Sequence, residues 1–154
     1  MKNLVTLLFF FVLSVTCLAQ SKDEIAIKKV IIDETDAFTK LNFEVQMSAY
    51  VRDANTTQQN NNADGSISVN EGWENINKDM RAYFKENPKV NFTKVTHTNW
   101  KMNKMSTDWY SVRFDQTMTD TKGIVGKSKE NRIMHKVNGQ WKIASMIALW
   151  DLKK

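Results

Sequence analysis

Residues 132–150, RIMHKVNGQWKIASMIALW, decide the fold of this chain. Two apolar runs flank Asn138-Gly139. An Asn-Gly pair between such runs signals a tight hairpin, because a type I′ turn needs positive φ at both central positions and these residues tolerate it best. The second run, Trp141–Trp150, is apolar on both of its alternating faces. Trp141, Ile143, Ile147 and Leu149 share one face, and Ala144, Met146, Ala148 and Trp150 the other. That pattern predicts a strand covered on both sides.

Working back from the hairpin, Ser128–Val137, Trp109–Thr119 and Val90–Met102 read as three further strands. Ahead of them, residues 70–88 (NEGWENINKDMRAYFKENP) form a helix with Trp73, Ile76, Met80 and Tyr83 at three- and four-residue spacing, ended by Asn87-Pro88. Residues 55–69 are polar but carry an Asp64-Gly65 turn between β-branched flanks, which predicts a hairpin. Lys22–Leu41 is an amphipathic helix burying Ile27, Val30, Ile31, Ala37, Phe38 and Leu41. Ser21 is its N-cap, with Asp23 and Glu24 in the first turn, where the helix dipole favours acids. Asn42–Val51 is a shorter helix facing inward through Phe43, Met47 and Tyr50. The order is helix, helix, hairpin, helix, then four antiparallel strands. Helices then cover one face of the sheet, giving an α+β domain.

The chain has 154 residues, enough for one domain with a single core. Its 42% apolar and 25% charged content is ordinary for a globular protein. Five Trp and eight Met call for a bulky core or an apolar pocket. The formal charge of +5 is scattered, without the concentrated basic patch that nucleic acid requires. Residues 1–19 read as a secretory signal: Lys2, an apolar run from Leu4 to Val15, then small Ala19. Residues 20–154 then form one exported domain, periplasmic or secreted, with no membrane segment after cleavage. The rival, a lipoprotein anchored through Cys17, fits less well, because Thr16 and Ser14 stand where a lipobox has a small residue and Leu. Cleavage after Ala19 removes the only cysteine, leaving neither disulfide nor thiolate.

Three segments carry a family resemblance: ETDAFTKLNFEVQMSAYV (34–51), EGWENINKDMRAYF (71–84), and WYSVRFDQ (109–116) followed by ENRIMHKVNGQWKI (130–143). Their order resembles the nuclear-transport-factor-2-like (NTF2-like, SnoaL-like) superfamily. The resemblance implies a cone, with three N-terminal helices packed on a strongly curved antiparallel sheet and a ligand cavity between them. It also implies homodimers formed through the sheet face. The superfamily holds isomerases, dehydratases, hydrolases, cyclases and many members with no known activity, so the resemblance leaves the chemistry open.

Alternation sorts the candidate residues. Tyr110, Val112, Phe114 and Gln116 form the core face of their strand. On the next, Ile133, His135 and Val137 make the more apolar set, which predicts that His135 points inward, where it could act as a general base. His135 and Tyr110 are therefore the acid–base candidates of an enzyme. Tyr50, Trp73, His97, Trp100, Phe114, Met146 and Trp150 are the candidate ligand wall. Arg113, Asp115, Glu130 and Arg132 are expected to pair across neighbouring strands. Glu34 lies near the apolar stripe of the first helix with no evident partner. Neither histidine is spaced with further ligands for a metal, and no motif calls for a cofactor. The leading expectation is an exported protein that binds a small apolar molecule. The alternatives are an isomerase-, dehydratase- or hydrolase-type enzyme, or a dimeric interaction module.

Overall fold

The computed structural model describes residues 21–62 and 64–152. The signal read at residues 1–19, with Cys17, lies outside them. Helix α1 (Lys22–Thr39) starts with a capping box: Ser21 Oγ accepts from the Glu24 amide and the Glu24 carboxylate accepts from the Ser21 amide. Leu41, with φ 56°, turns the chain into α2 (Phe43–Ser48), where Asn42 Oδ1 caps the Val45 amide. The hairpin β1 (Thr57–Asn61) and β2 (Ile67–Glu71) precedes α3 (Trp73–Glu86). Then follow β3 (Phe92–Lys104), β4 (Trp109–Asp120), β5 (Val125–Val137) and β6 (Gln140–Trp150). Asn138 and Gly139 both hold positive φ, 50° and 77°, as the β5–β6 turn demands.

One six-stranded sheet results, ordered β2-β1-β6-β5-β4-β3. Among the described residues two helices precede the first hairpin and a third follows it, the order read from the sequence, so the three are not all placed ahead of the sheet as the resemblance implies. One expectation needs correction: the sheet is not antiparallel throughout, because β1 runs parallel to β6.

Two bulges aim the side chains. In β3, Thr98 pairs with Asp115 and Lys101 with Arg113, so Asn99 and Trp100 together face Phe114. Asn99 absorbs the extra residue at φ 54°. The strand phase shifts there, and His97 and Trp100 both turn toward the helices. In β6, Ile143 faces Met134 while Ser145 faces Ile133, leaving Ala144 unmatched. Before this bulge Trp141 and Ile143 are buried; beyond it the inner set is Met146, Ala148 and Trp150. The doubly apolar pattern of β6 is thus a change of phase within a strand buried on one face. Leu149, on the outer face, is 51% exposed.

The phase predicted for β5 is reversed. Ser128, Glu130, Arg132 and Met134 are buried inside, whereas Ile133, His135 and Val137 face outward, half-buried. The apolar core gathers Ile27 and Ile31 of α1, Met47 of α2 and Ile76 of α3. Against these pack Tyr110, Val112, Met134, Trp141 and Ile143 of the sheet. No helix among the described residues is long and apolar enough to cross a membrane.

Candidate functional site

Between the helices and the inner sheet face lies a cavity of about 420 Å³. Phe38, Met80, Tyr83, Met118, Met146 and Trp150 give it apolar walls. Its floor is polar and built from two clusters.

The first cluster belongs to the helices. Glu34 follows Ile27 and Ile31 by seven and three residues, so helical periodicity turns it inward, and it is 4% exposed. Its Oε1 accepts from the Tyr50 hydroxyl at 2.9 Å and from Gln46 Nε2 at 3.2 Å. The Tyr50 hydroxyl also lies 3.3 Å from Met146 Sδ. Burial, and then the Glu34 carboxylate, push the Tyr50 phenol well above its ordinary pKa, so it remains a proton donor at neutral pH.

The second cluster belongs to the sheet. Arg132 Nη1 donates to Glu130 Oε2 at 2.7 Å, with side-chain exposures of 2% and 0%. Burial works against the guanidinium charge, but the Glu130 and Glu34 carboxylates outweigh it and raise the Arg132 pKa. Ser128 donates to Glu130 Oε1. Gln116 Nε2 reaches the same oxygen at 3.5 Å, and Gln116 Oε1 lies 3.0 Å from His97 Nε2. Since the amide oxygen only accepts, His97 carries its proton on Nε2. Burial lowers the His97 pKa, opposed by that hydrogen bond.

Two buried polar atoms of this floor have no partner: Gln46 Oε1 and Arg132 Nε. Their residues are each 2% exposed and line the cavity. Unpaired buried polar atoms are uncommon and costly.

Helices gathered on one face of a six-stranded, largely antiparallel sheet, around an amphipathic cavity, occur in known structures. A protein of unknown function with a cystatin-like fold from Nostoc punctiforme superposes with a TM-score of 0.68 at 13% identity, covering 86% of this chain and 93% of that one. An NTF-2-like protein of unknown function from Shewanella oneidensis gives 0.65 at 14%, covering 80% and 96%. This chain has the NTF2-like fold. A ketosteroid isomerase-like protein from Erwinia carotovora atroseptica shares the NTF2-like fold with it at TM-score 0.59 and 17% identity, covering 86% and 98%. No family model matches the sequence, and no curated protein does.

Within this NTF2-like fold the predicted residues separate. Met146 and Trp150 line the cavity, and Tyr50 reaches its floor. His97 touches it through Gln116. Phe114 is buried and Trp100 stacks on it at 4.5 Å, as packing beside the cavity. Trp73 packs against the core under Arg52 and does not line the cavity.

Tyr110 and His135 do not meet. Tyr110 is buried at the closed end, edge-on to Trp141. His135 stands on the outer face, stacked on Trp109 at 4.0 Å. It belongs to a separate outer groove of about 760 Å³, with Ile133, Val137, Lys142 and Ala144. Trp109 pairs with His135 and Tyr110 with Met134, so alternation sends the proposed acid and base to opposite faces. The expected cross-strand charge pairing is also replaced. Glu130 and Arg132 pair within β5, while Asp115 binds Lys129 and Asn99 outside.

The sequence reading left Glu34 without a partner and did not assign Gln46, Gln116, Glu130 or Arg132 to the cavity. The available signal was Glu34 within an apolar helical stripe, one helix before a Gln and a Tyr. Among the described residues no three His, Cys, Asp or Glu side chains are grouped to hold a metal ion.

Proposed function

We propose that this protein binds a small molecule inside the cone, with an apolar body against the Met and aromatic walls and a polar group on the floor. The observation carrying this reading is the cavity of about 420 Å³ whose floor holds two unpartnered buried polar atoms, Gln46 Oε1 and Arg132 Nε. Pockets of this size with a few convergent polar groups are typical of small-ligand sites. The test is native mass spectrometry of the protein purified from its own cells. The reading expects a bound small molecule on the native chain and none on Ala148→Trp, which fills the cavity. Identical bare spectra from both proteins would end it.

An enzyme reading rests on one specific contact. The Tyr50 hydroxyl and the Glu34 carboxylate are 2.9 Å apart at the cavity floor, a donor beside a proton acceptor. The acid–base pair of this alternative is therefore Glu34 and Tyr50, in place of His135 and Tyr110. Glu34→Gln should retain binding and lose turnover of the bound compound; unchanged turnover removes the alternative.

We also infer export through residues 1–19 and a homodimer through the outer sheet face. Supporting the dimer are Trp109, Ile133, His135, Val137 and Leu149, all presented on that face. Light scattering should give twice the mass of one chain, reduced to one by Ile133→Lys.

A further inference from the structure

We infer that the cone cavity takes a small organic cation, an amine with an apolar body, and rejects anions. This inference rests on the cavity-binding reading and adds the class of its ligand.

Charge is the first argument. Among the described residues lining the cavity, Glu34, Asp79 and Glu130 are acidic and only Arg132 is basic. Arg132 is already engaged by Glu130 at 2.7 Å. Glu34 is 4% exposed and has only neutral hydrogen-bond donors, Tyr50 and Gln46, at its Oε1. Glu34 and Glu130 both draw on the one Arg132 guanidinium, and a buried carboxylate that is only partly compensated is costly. A ligand ammonium would bring two positive charges against Glu34 and Glu130. A ligand carboxylate would set three negative charges around one guanidinium.

Hydrogen-bonding capacity is the second. Gln46 must present Nε2 to the Glu34 carboxylate, which turns its Oε1 away, and that oxygen has no donor. An ammonium N–H supplies one. Arg132 Nε lacks an acceptor, so a hydroxyl or carbonyl oxygen near the amine completes the floor.

The walls agree with this. Phe38 and Tyr83 stack at 5.5 Å and line the cavity, as does Trp150. Aromatic faces attract cations, and do so more strongly when water is excluded.

The test compares three probes of one shape, phenethylamine, phenethyl alcohol and phenylacetate, by NMR titration at neutral pH, following the Trp150 indole and Met146 methyl signals. The amine should bind about tenfold more tightly than the alcohol, as a charge-assisted hydrogen bond warrants, and phenylacetate more weakly than either. Glu34→Gln should erase the preference for the amine over the alcohol. Should that variant misfold, Asp79→Asn, exposed at the rim, should reduce the preference by about twofold. Equal binding of phenylacetate and amine, or a preference that survives both substitutions, overturns the cation inference and leaves the cavity reading standing. Signals that move with none of the three probes overturn both.

Discussion

The two ends of the same three strands behave differently. At one end Tyr110 and Val112 of β4, Met134 of β5, and Trp141 and Ile143 of β6 pack solidly against Ile27 and Ile31. At the other, β4 continues into Gln116, β5 into Arg132 and Glu130, and β6 into Met146 and Trp150, around an open volume. Burial is similar at both ends, while the chemistry is opposite. The apolar end stabilises by removing surface from water, about 1.5–3 kcal/mol for each large side chain. The polar end depends on every buried charge keeping its partner, and its unsatisfied atoms are where a ligand has something to gain.

Breaking the polar end should cost most. Arg132→Met leaves Glu130 buried without its guanidinium, and should destabilise the protein by about 3–5 kcal/mol in urea unfolding. Adding Glu130→Gln should recover most of that loss. A single variant as stable as the parent would mean that the pair contributes nothing to the floor. Ile143→Ala, at the closed end, should cost about 2–5 kcal/mol through the void it opens. It should leave ligand affinity unchanged, which is how the two ends are separated experimentally. Tyr50→Phe removes one hydrogen bond to a buried carboxylate, and a loss of about 1.5–3 kcal/mol is expected.

The smallest effect concerns His97. Burial holds its pKa in the folded protein below the ordinary 6.5. Below that value the unfolded chain binds the extra proton more readily, so protonation favours unfolding. Stability should therefore be unaffected by His97 above pH 7 and decline as pH falls from 7 to 5. His97→Gln should flatten that part of the pH profile, and an unaltered slope would exclude His97 as the group responsible.

The solid end was legible in the sequence and the polar end largely was not. Period-3.6 stripes found α1 and α3, the Asn138-Gly139 pair found the final turn, and the alternation of Tyr110, Val112 and Phe114 gave the correct inner face of β4. β5 misled because its inner positions include Glu130 and Arg132, while its outer ones are Ile133, His135 and Val137. Sorting apolar inward assumes that charges prefer water, and a carboxylate and guanidinium that satisfy one another escape that assumption. A bulge caused the misreading of β6. A single extra residue, Ala144, makes both faces of β6 apolar in different halves, and alternation alone cannot locate it. Glu34 sat in plain view within its stripe, but Gln46 and Tyr50 meet it only once α2 folds back.

The parallel ladder between β1 and β6 joins Thr57 to Ser145, 88 residues along the chain. β6 therefore sits mid-sheet, flanked by β1 and β5. During synthesis the β1–β2 hairpin has no sheet to join until this late segment emerges, and closing so large a loop is slow. Truncation just before β6 should consequently yield an aggregation-prone chain and not a weaker binder, because β6 is the strand that joins the hairpin to the rest of the sheet.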